Sequence, residues 1–303
     1  MVGKKLDMYI KSPLNYTGGK FKLLNDIMPS FPQKSEAFVD LFTGGMNVGI
    51  NANANRIYAN DQIDYLIELY DYFQKTSIDE IIAGIKELIG FYSLSQQNVD
   101  GYNQLRADYN AKKSPLKLFV LTCYAFNHQI RFNNSFQFNT PFGKERSSYN
   151  DSIEKNLIRF VTALKEKNII LSSTDFREFN FDVLNAGDVV YCDPPYLITT
   201  GSYNDGKRGF GDWGIEEDRD LLHLLDELNS KNIKFALSNV FYHKGNTNEE
   251  LIKWSEQYEV TYLDKKYSNC SYHFKDRDAK TVEVLVTNYK WEGMFCQQMK
   301  LDL

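Results

Sequence analysis

One stretch limits the fold of this 303-residue chain more than any other: Phe38-Val-Asp-Leu-Phe-Thr-Gly-Gly-Met-Asn-Val-Gly49. Its apolar opening predicts a buried strand, the Gly44-Gly45 pair lets the backbone turn sharply, and the residues after Gly45 predict a helix. Ile57-Tyr-Ala-Asn-Asp61 then predicts a second strand that ends on an acid. A strand, helix, strand unit needs a parallel sheet covered on both faces. The remaining periodicities agree: a helix over 21–28, strands over 37–41 and 56–59, and further strands over 168–171, 188–192, 234–237, 260–263 and 282–286, with helices such as 215–228 between them. Residues 62–166 read differently, with helical periods such as 78–89 and 115–126 and few strand runs. The fold class is therefore α/β with a mostly helical insertion: 1–61 and 167–303 form one body, and 62–166 an inserted domain.

Charge and cysteine usage narrow the function. The net charge of −5 argues mildly against a polyanionic partner, yet residues 111–149 carry six basic side chains (Lys112, Lys113, Lys117, Arg131, Lys144, Arg146) against one acid, Glu145. That stretch can face phosphates. The four cysteines form no CxxC pair, so neither a zinc site nor a disulfide framework is predicted, and a reducing cytoplasm fits. No signal peptide and no run long enough for a membrane span is apparent, so no membrane partner is expected.

At the glycine loop, a backbone able to approach a ligand closely is followed by an acid, Asp61, placed to accept both hydroxyls of a ribose. The combination suits a nucleoside cofactor, although a glycine pair also serves as a plain tight turn. The spacing is not that of a GxGxxG dinucleotide site. Thr17-Gly-Gly-Lys20 is followed by Phe21 rather than by the hydroxyl a magnesium ion needs, which argues against a nucleotide triphosphatase.

Val189-Val-Tyr-Cys-Asp-Pro-Pro-Tyr196 is the most informative string for chemistry. It predicts a buried strand whose C-terminal end, where sites form in open α/β sheets, carries an acid, two prolines and an aromatic. The amine of adenine is a poor nucleophile because its lone pair is delocalised. The Asp193 carboxylate and the Pro194 carbonyl would accept its two N–H bonds and restore the lone pair, while Pro194 and Pro195 stiffen the turn. Tyr196 would stack on a base swung out of a duplex. The plainer reading, a strand-terminating turn with Tyr196 in the core, loses weight because the glycine loop precedes it.

Taken in order, Pro13-Leu-Asn-Tyr-Thr-Gly-Gly-Lys20, Asp40-Leu-Phe-Thr-Gly-Gly45, Asp61 and Asp193-Pro-Pro-Tyr196 resemble the Dam family of DNA adenine methylases, α-type, of the D12 class. The resemblance covers almost the whole chain. It implies a Rossmann-like methyltransferase fold that binds S-adenosylmethionine, with residues 62–166 as the target-recognition domain. By the same resemblance, Tyr16, Lys20, Asp40, Phe42, Gly44, Gly45, Asp61 and Asp193 border the cofactor, and Asp175 and Phe176 stand where the family contacts the cofactor's adenine. Phe126-Asn-His-Gln-Ile-Arg-Phe-Asn133 and Asn139-Thr-Pro-Phe-Gly143 look like the family's recognition hairpin.

For DNA binding the resemblance and the side-chain chemistry suggest Asn15, Asn127, Gln129, Arg131, Asn133, Lys144 and Arg146. Arg131 can grip a guanine edge with two hydrogen bonds, Lys144 and Arg146 suit phosphates, and Asn133 and Asn134 also suit turns. One of Tyr124, Phe126, Phe132, Phe136, Phe138 and Phe142 is a candidate wedge for the gap a flipped base leaves, though most suit a core. Many family members carry Asn-Gly-Leu-Cys-Arg where this chain has Asn-His-Gln-Ile-Arg, and lysine where it has Asn15, so a GATC target is not implied. The expected protein is a monomer or weak dimer that acts on double-stranded DNA without metal, beside a possible cognate restriction endonuclease. The competing readings are an idle DNA-binding protein of the same fold, and a methyltransferase for RNA adenine or a glutamine amide.

Overall fold

A computed structural model describes residues 6, 8–202, 213–263 and 281–291, with side chains from 200 to 202 excepted. Its centre is an eight-stranded sheet built from β1 (Ser35–Asp40), β2 (Ala54–Asn60), β3 (Ile169–Ser172), β4 (Val189–Cys192), β5 (Lys234–His243), β6 (Asn246–Thr247), β7 (Glu259–Tyr262) and β8 (Thr281–Thr287). The order is β3-β2-β1-β4-β5-β8-β7, with β6 pairing β5. The first five strands in that order run parallel, and β8 pairs antiparallel with both β5 and β7.

Residues in the strands alternate between two cores. Phe38, Val189, Tyr191 and Ala236 belong to one, and Ala37, Val39, Val190, Cys192, Phe235 and Leu237 to the other. This is the two-residue period of a strand with both faces covered, and it explains why β4 reads as an unbroken apolar run. Helices α1 (Asp64–Lys75), α2 (Ile78–Phe91), α3 (Val99–Ala111), α4 (Pro115–Tyr124) and α5 (Asp151–Glu166) contribute to the first core. Helix α6 (Ile215–Ser230) and the short α7 (Glu249–Ser255) cover the other face. The helix starts are written locally: Ser77 and Glu80 form a reciprocal capping box on α2, and Asn150 accepts from the Ser152 and Ile153 amides on α5. Among the described residues no helix is long and apolar enough to cross a membrane.

Two local expectations fail near the N-terminus. The helix expected over 21–28 is a chain of short turns: 3-10 at Lys20–Leu23, α at Leu24–Ile27 and 3-10 at Met28–Ser30. The helix expected after Gly45 is not formed; only a 3-10 turn at Gly49–Asn51 follows. Met46 takes a positive φ of 54°, which an α-helix cannot contain. The side chains of Asn47 and Asn51 accept from the Ser12 and Ile10 amides, spending on the N-terminal segment the polar groups a surface helix would turn to water. The glycine loop therefore presents amides from successive turns rather than from a helix N-terminus.

The chain runs outward from β1 to β2 and β3, then returns to the other side of β1 with β4. Such a reversal opens a crevice at the carboxyl ends of the two central strands. Asp40 ends β1, Asp61 follows β2 and Asp193 follows β4, so three acids distant in sequence share one sheet edge.

Candidate active site

A cleft lies over that edge, lined among others by Tyr16, Lys20, Asp40, Phe42, Gly44, Gly45, Asp61, Asp193, Pro194 and Pro195. Its floor is tightly braced. Asp40 Oδ2 accepts from the Gly49 amide at 2.8 Å, and a Cβ on Gly49 would stand 2.7 Å from that oxygen, so only glycine fits. Asp61 Oδ2 accepts from the Gly44 amide at 2.8 Å and Oδ1 from the Ile63 amide at 3.0 Å. Gly44 has a φ of +43° and lies against the Tyr16 ring, and its carbonyl accepts from the buried Tyr70 hydroxyl of α1 at 2.6 Å.

Burial raises Asp40 to about 7, against the amide of Gly49 and the hydroxyl of Thr43, which lower it. Burial likewise raises Asp61 to about 6, against its two amide donors. Among the described residues neither acid is paired with a cation. Two desolvated carboxylates of this kind are suited to a ligand that brings hydroxyl or ammonium donors.

Asp193 sits at the mouth of the cleft within a four-membered polar cluster. Lys20 Nζ lies 2.8 Å from Asp193 Oδ1 and 3.5 Å from Glu283 Oε1. The Tyr196 hydroxyl lies 2.9 Å from Asp193 Oδ1 and 3.1 Å from Glu283 Oε1, and Lys20 Nζ stands 5.0 Å over the Tyr196 ring. Both donors reach Asp193 through the same oxygen. Burial raises the Asp193 pKa; Lys20 and the Tyr196 hydroxyl pull it down, and the Glu283 charge pushes it up.

A second depression borders the first across residues 16–20 and is lined by Asn15, Lys20, Gln129, Tyr196 and Glu283, among others. Gln129 comes from the segment 125–143, a hairpin closed by the bridges Ala125↔Phe142 and Phe132↔Phe138. Helix α3 holds it: Asn110 bonds both the amide and the carbonyl of Phe138, and the Tyr102 hydroxyl donates to the Thr140 carbonyl. Asn15 Nδ2 donates to the Asn127 carbonyl at 2.8 Å, tying the N-terminal segment to the hairpin. Asn127 and His128 both have positive φ, 53° and 54°.

The exposed groups of this hairpin are few. Arg131 Nη2 donates to Gln129 Oε1 at 2.7 Å, which orients the guanidinium. Asn133 Oδ1 accepts from the Ser135 and Gln137 amides, so its side chain builds the turn. Lys144 and Arg146 are exposed, and the Arg146 guanidinium stacks 5.1 Å from the Phe126 ring. Of the six candidate wedge aromatics, Phe126 is 39% exposed while Tyr124, Phe132 and Phe138 are buried.

Most of the residues picked from the sequence for the cofactor meet at the cleft, but Asp175 and Phe176 do not line it. Both oxygens of Asp175 bind Arg177, at 2.8 and 2.9 Å, and Phe176 is buried behind Phe42 at 5.5 Å between ring centroids. Lining residues that the sequence reading did not pick for the site include Asn47, Gln62, Ile63 and Trp213 in the cleft, and Glu283 in the outer depression. Glu283 had a signal, an acid alone in the apolar run Val282-Glu-Val-Leu-Val286. Trp213 had none, since a tryptophan before a helix is unremarkable.

Comparison with known proteins agrees with this geometry. The chain is 53% identical over 289 residues to the type II methyltransferase M.FokI of Planomicrobium okeanokoites, covering 95% of this chain and 44% of that protein. It is 47% identical over 284 residues to the modification methylase StsI of Streptococcus sanguinis, covering 93% and 43%. It is also 28% identical over 231 residues to a DNA adenine methylase of Haemophilus influenzae, covering 75% and 78%. The chain thus spans less than half the length of the first two relatives. The family model for D12 class N6 adenine-specific DNA methyltransferases matches residues 16–269, where the glycine loop, Asp61 and the Asp-Pro-Pro-Tyr turn all lie. The resemblance carried by those motifs is borne out, and the chain belongs to the D12 class of N6 adenine-specific DNA methyltransferases.

Proposed function

We propose that this chain transfers the methyl group of S-adenosylmethionine to the exocyclic amine of adenine in duplex DNA, within a short recognition site. The observation that carries the reading is the placement of Asp193, which faces the inner cleft while its partners Lys20 and Tyr196 face the outer depression beside Gln129 and Asn15. One carboxylate thus stands where the cleft meets a surface fit for nucleic acid.

The cleft suits the cofactor. Asp61 would accept ribose hydroxyls, Asp40 and the glycine loop would take the methionine portion, and Tyr16, Phe42 and Trp213 would supply apolar walls, with Phe176 backing Phe42. Bound there, the cofactor supplies an electrophilic methyl group on a sulfonium. Asp193 and the Pro194 carbonyl accept the two N–H bonds of the amine, the prolines hold that geometry, and Tyr196 stacks on the extruded base. Phe126, the exposed aromatic of the hairpin, fills the gap in the duplex. Arg131, oriented by Gln129, reads a base edge, Asn15 and Asn127 brace the hairpin at the groove, and Lys144 and Arg146 meet phosphates.

On this reading residues 62–166 select the target and the rest of the chain performs the chemistry. The names of M.FokI and StsI, a type II methyltransferase and a modification methylase, support a place in restriction-modification, and a cognate endonuclease and a cytoplasmic location are part of the same proposal. The test is to incubate purified protein with plasmid of known sequence and labelled cofactor, then map modified adenines by single-molecule sequencing. Label at one sequence context supports the proposal. Label on cytosine, on single-stranded RNA alone, or undiminished in Asp193→Ala would overturn it.

A further inference from the structure

The polar cluster around Asp193 contains a second carboxylate for which the transfer scheme has no use. Glu283 extends from β8, a strand paired with β5 and β7 and not with β4, so its presence beside Asp193 is decided by tertiary structure alone. Lys20 is 5% exposed and Tyr196 is 7% exposed, and each has both carboxylates within reach. Glu283 is itself only half-buried, but it meets two buried partners, and that shared contact makes its position informative.

The geometry points to Glu283 as a positioning residue for methyl transfer: it shares Lys20 and Tyr196 with Asp193, fixing the ring on which the base stacks and drawing both donors to one side of the Asp193 carboxylate. Both donors meet Asp193 at Oδ1, and Oδ2 is the oxygen assigned to the incoming amine. This inference rests on the transfer reading above and deepens it.

Electrostatics supplies a signature that mere packing would not. The titratable and charged groups that face Asp193 are Lys20, Asp40 at the end of β1, Tyr191 and Cys192 of β4, Tyr196 and Glu283. Of these, Lys20 holds the Asp193 pKa down and Glu283 holds it up. The amine needs an ionised acceptor. Replacing Glu283 by a neutral isostere removes a like charge, so Asp193 ionises at lower pH; replacing Lys20 moves it the other way.

The experiment compares wild type, Glu283→Gln, Glu283→Ala and Lys20→Gln. In E283Q, which keeps an acceptor for the Tyr196 hydroxyl, the acid limb of kcat/KM moves to lower pH, and in K20Q it moves to higher pH. In E283A, kcat falls about 10- to 100-fold, as when the support of a positioned group is lost. Cofactor affinity by calorimetry stays near the wild-type value in both Glu283 variants, because Glu283 lines the outer depression. The Asp193 pKa is also read by NMR of its isotope-labelled carboxyl carbon in the ligand-free protein, and it falls in E283Q. An unmoved Asp193 titration, or wild-type kcat in E283A, overturns the inference. Wild type that labels no duplex DNA while Asp193 still titrates lower in E283Q would instead overturn the transfer reading and leave the shared cluster standing.

Discussion

The inner cleft and the hairpin proposed to meet DNA are linked through the N-terminal segment, by the shared lining residues 16–20 and the Asn15–Asn127 bond, yet they are built on opposite terms. The cleft rests on β1, β2 and β4, its acids are buried, and backbone amides hold Asp40 and Asp61. The hairpin, over 125–143, is closed by two isolated bridges, has positive φ at Asn127, His128 and Phe136, and leaves Arg131 exposed. Rigid strands can fix a reacting atom, whereas a loop held at a few points by α3 and anchored by Phe132 and Phe138 can change its exposed side chains without disturbing the core. The difference teaches that chemistry and target choice can vary separately in such a chain.

The strongest way to break that contrast is at Asp193. Asp193→Ala lowers kcat about 10³-fold, the scale for losing a positioned electrostatic group, with DNA affinity by filter binding unchanged. Equal loss of both would mean that the two regions are one. Gly49→Ala should strike the cleft through the fold: the added Cβ meets Asp40 at 2.7 Å. It should cost about 1–3 kcal/mol in denaturant unfolding and weaken cofactor binding, with no equivalent cost from a change at Lys144.

Arg131→Ala should leave stability and cofactor affinity alone and relax choice at one base pair by about 1–3 kcal/mol, read from relative methylation of single-mismatch duplexes. Lys144→Ala should weaken binding to all sequences alike and reduce the slope of log affinity against log salt by about 1. The smallest effect is a pH dependence confined to the cleft. The folded values of Asp40, about 7, and Asp61, about 6, lie above the ordinary 3.8, so the folded state keeps protons that the unfolded chain has released. Their contribution to stability is full below 3.8 and is lost as pH rises through those folded values. The Tm of the ligand-free protein should therefore fall between pH 3.8 and about 7 through these groups, and Asp40→Asn should flatten the fall.

Much of the scaffold was legible because its signals are local. The runs at 188–192, 234–237, 260–263 and 282–286 and the helical period at 215–228 match β4, β5, β7, β8 and α6 closely, since burial on two faces and amphipathic spacing are properties of short segments. The segment after Gly45 was not legible. Its glycines and asparagines fit a helix start as well as a run of turns, and contacts with residues 10–12 chose the turns. Asn133 shows the same ambiguity at the hairpin, where a residue able to read a base spends its oxygen on the turn.

The sequence by itself determined the α/β class, the glycine loop and the Asp-Pro-Pro-Tyr turn, because each depends on residues that follow one another along the chain. Only the tertiary structure decided that Asp175 and Phe176 stand off the cleft, that Phe126 is the exposed ring of its hairpin, and that Glu283 reaches Lys20 and Tyr196. Those outcomes depend on which strands become neighbours and which side chains pack behind others, and neither burial nor a salt bridge across more than two hundred residues is written in any local pattern.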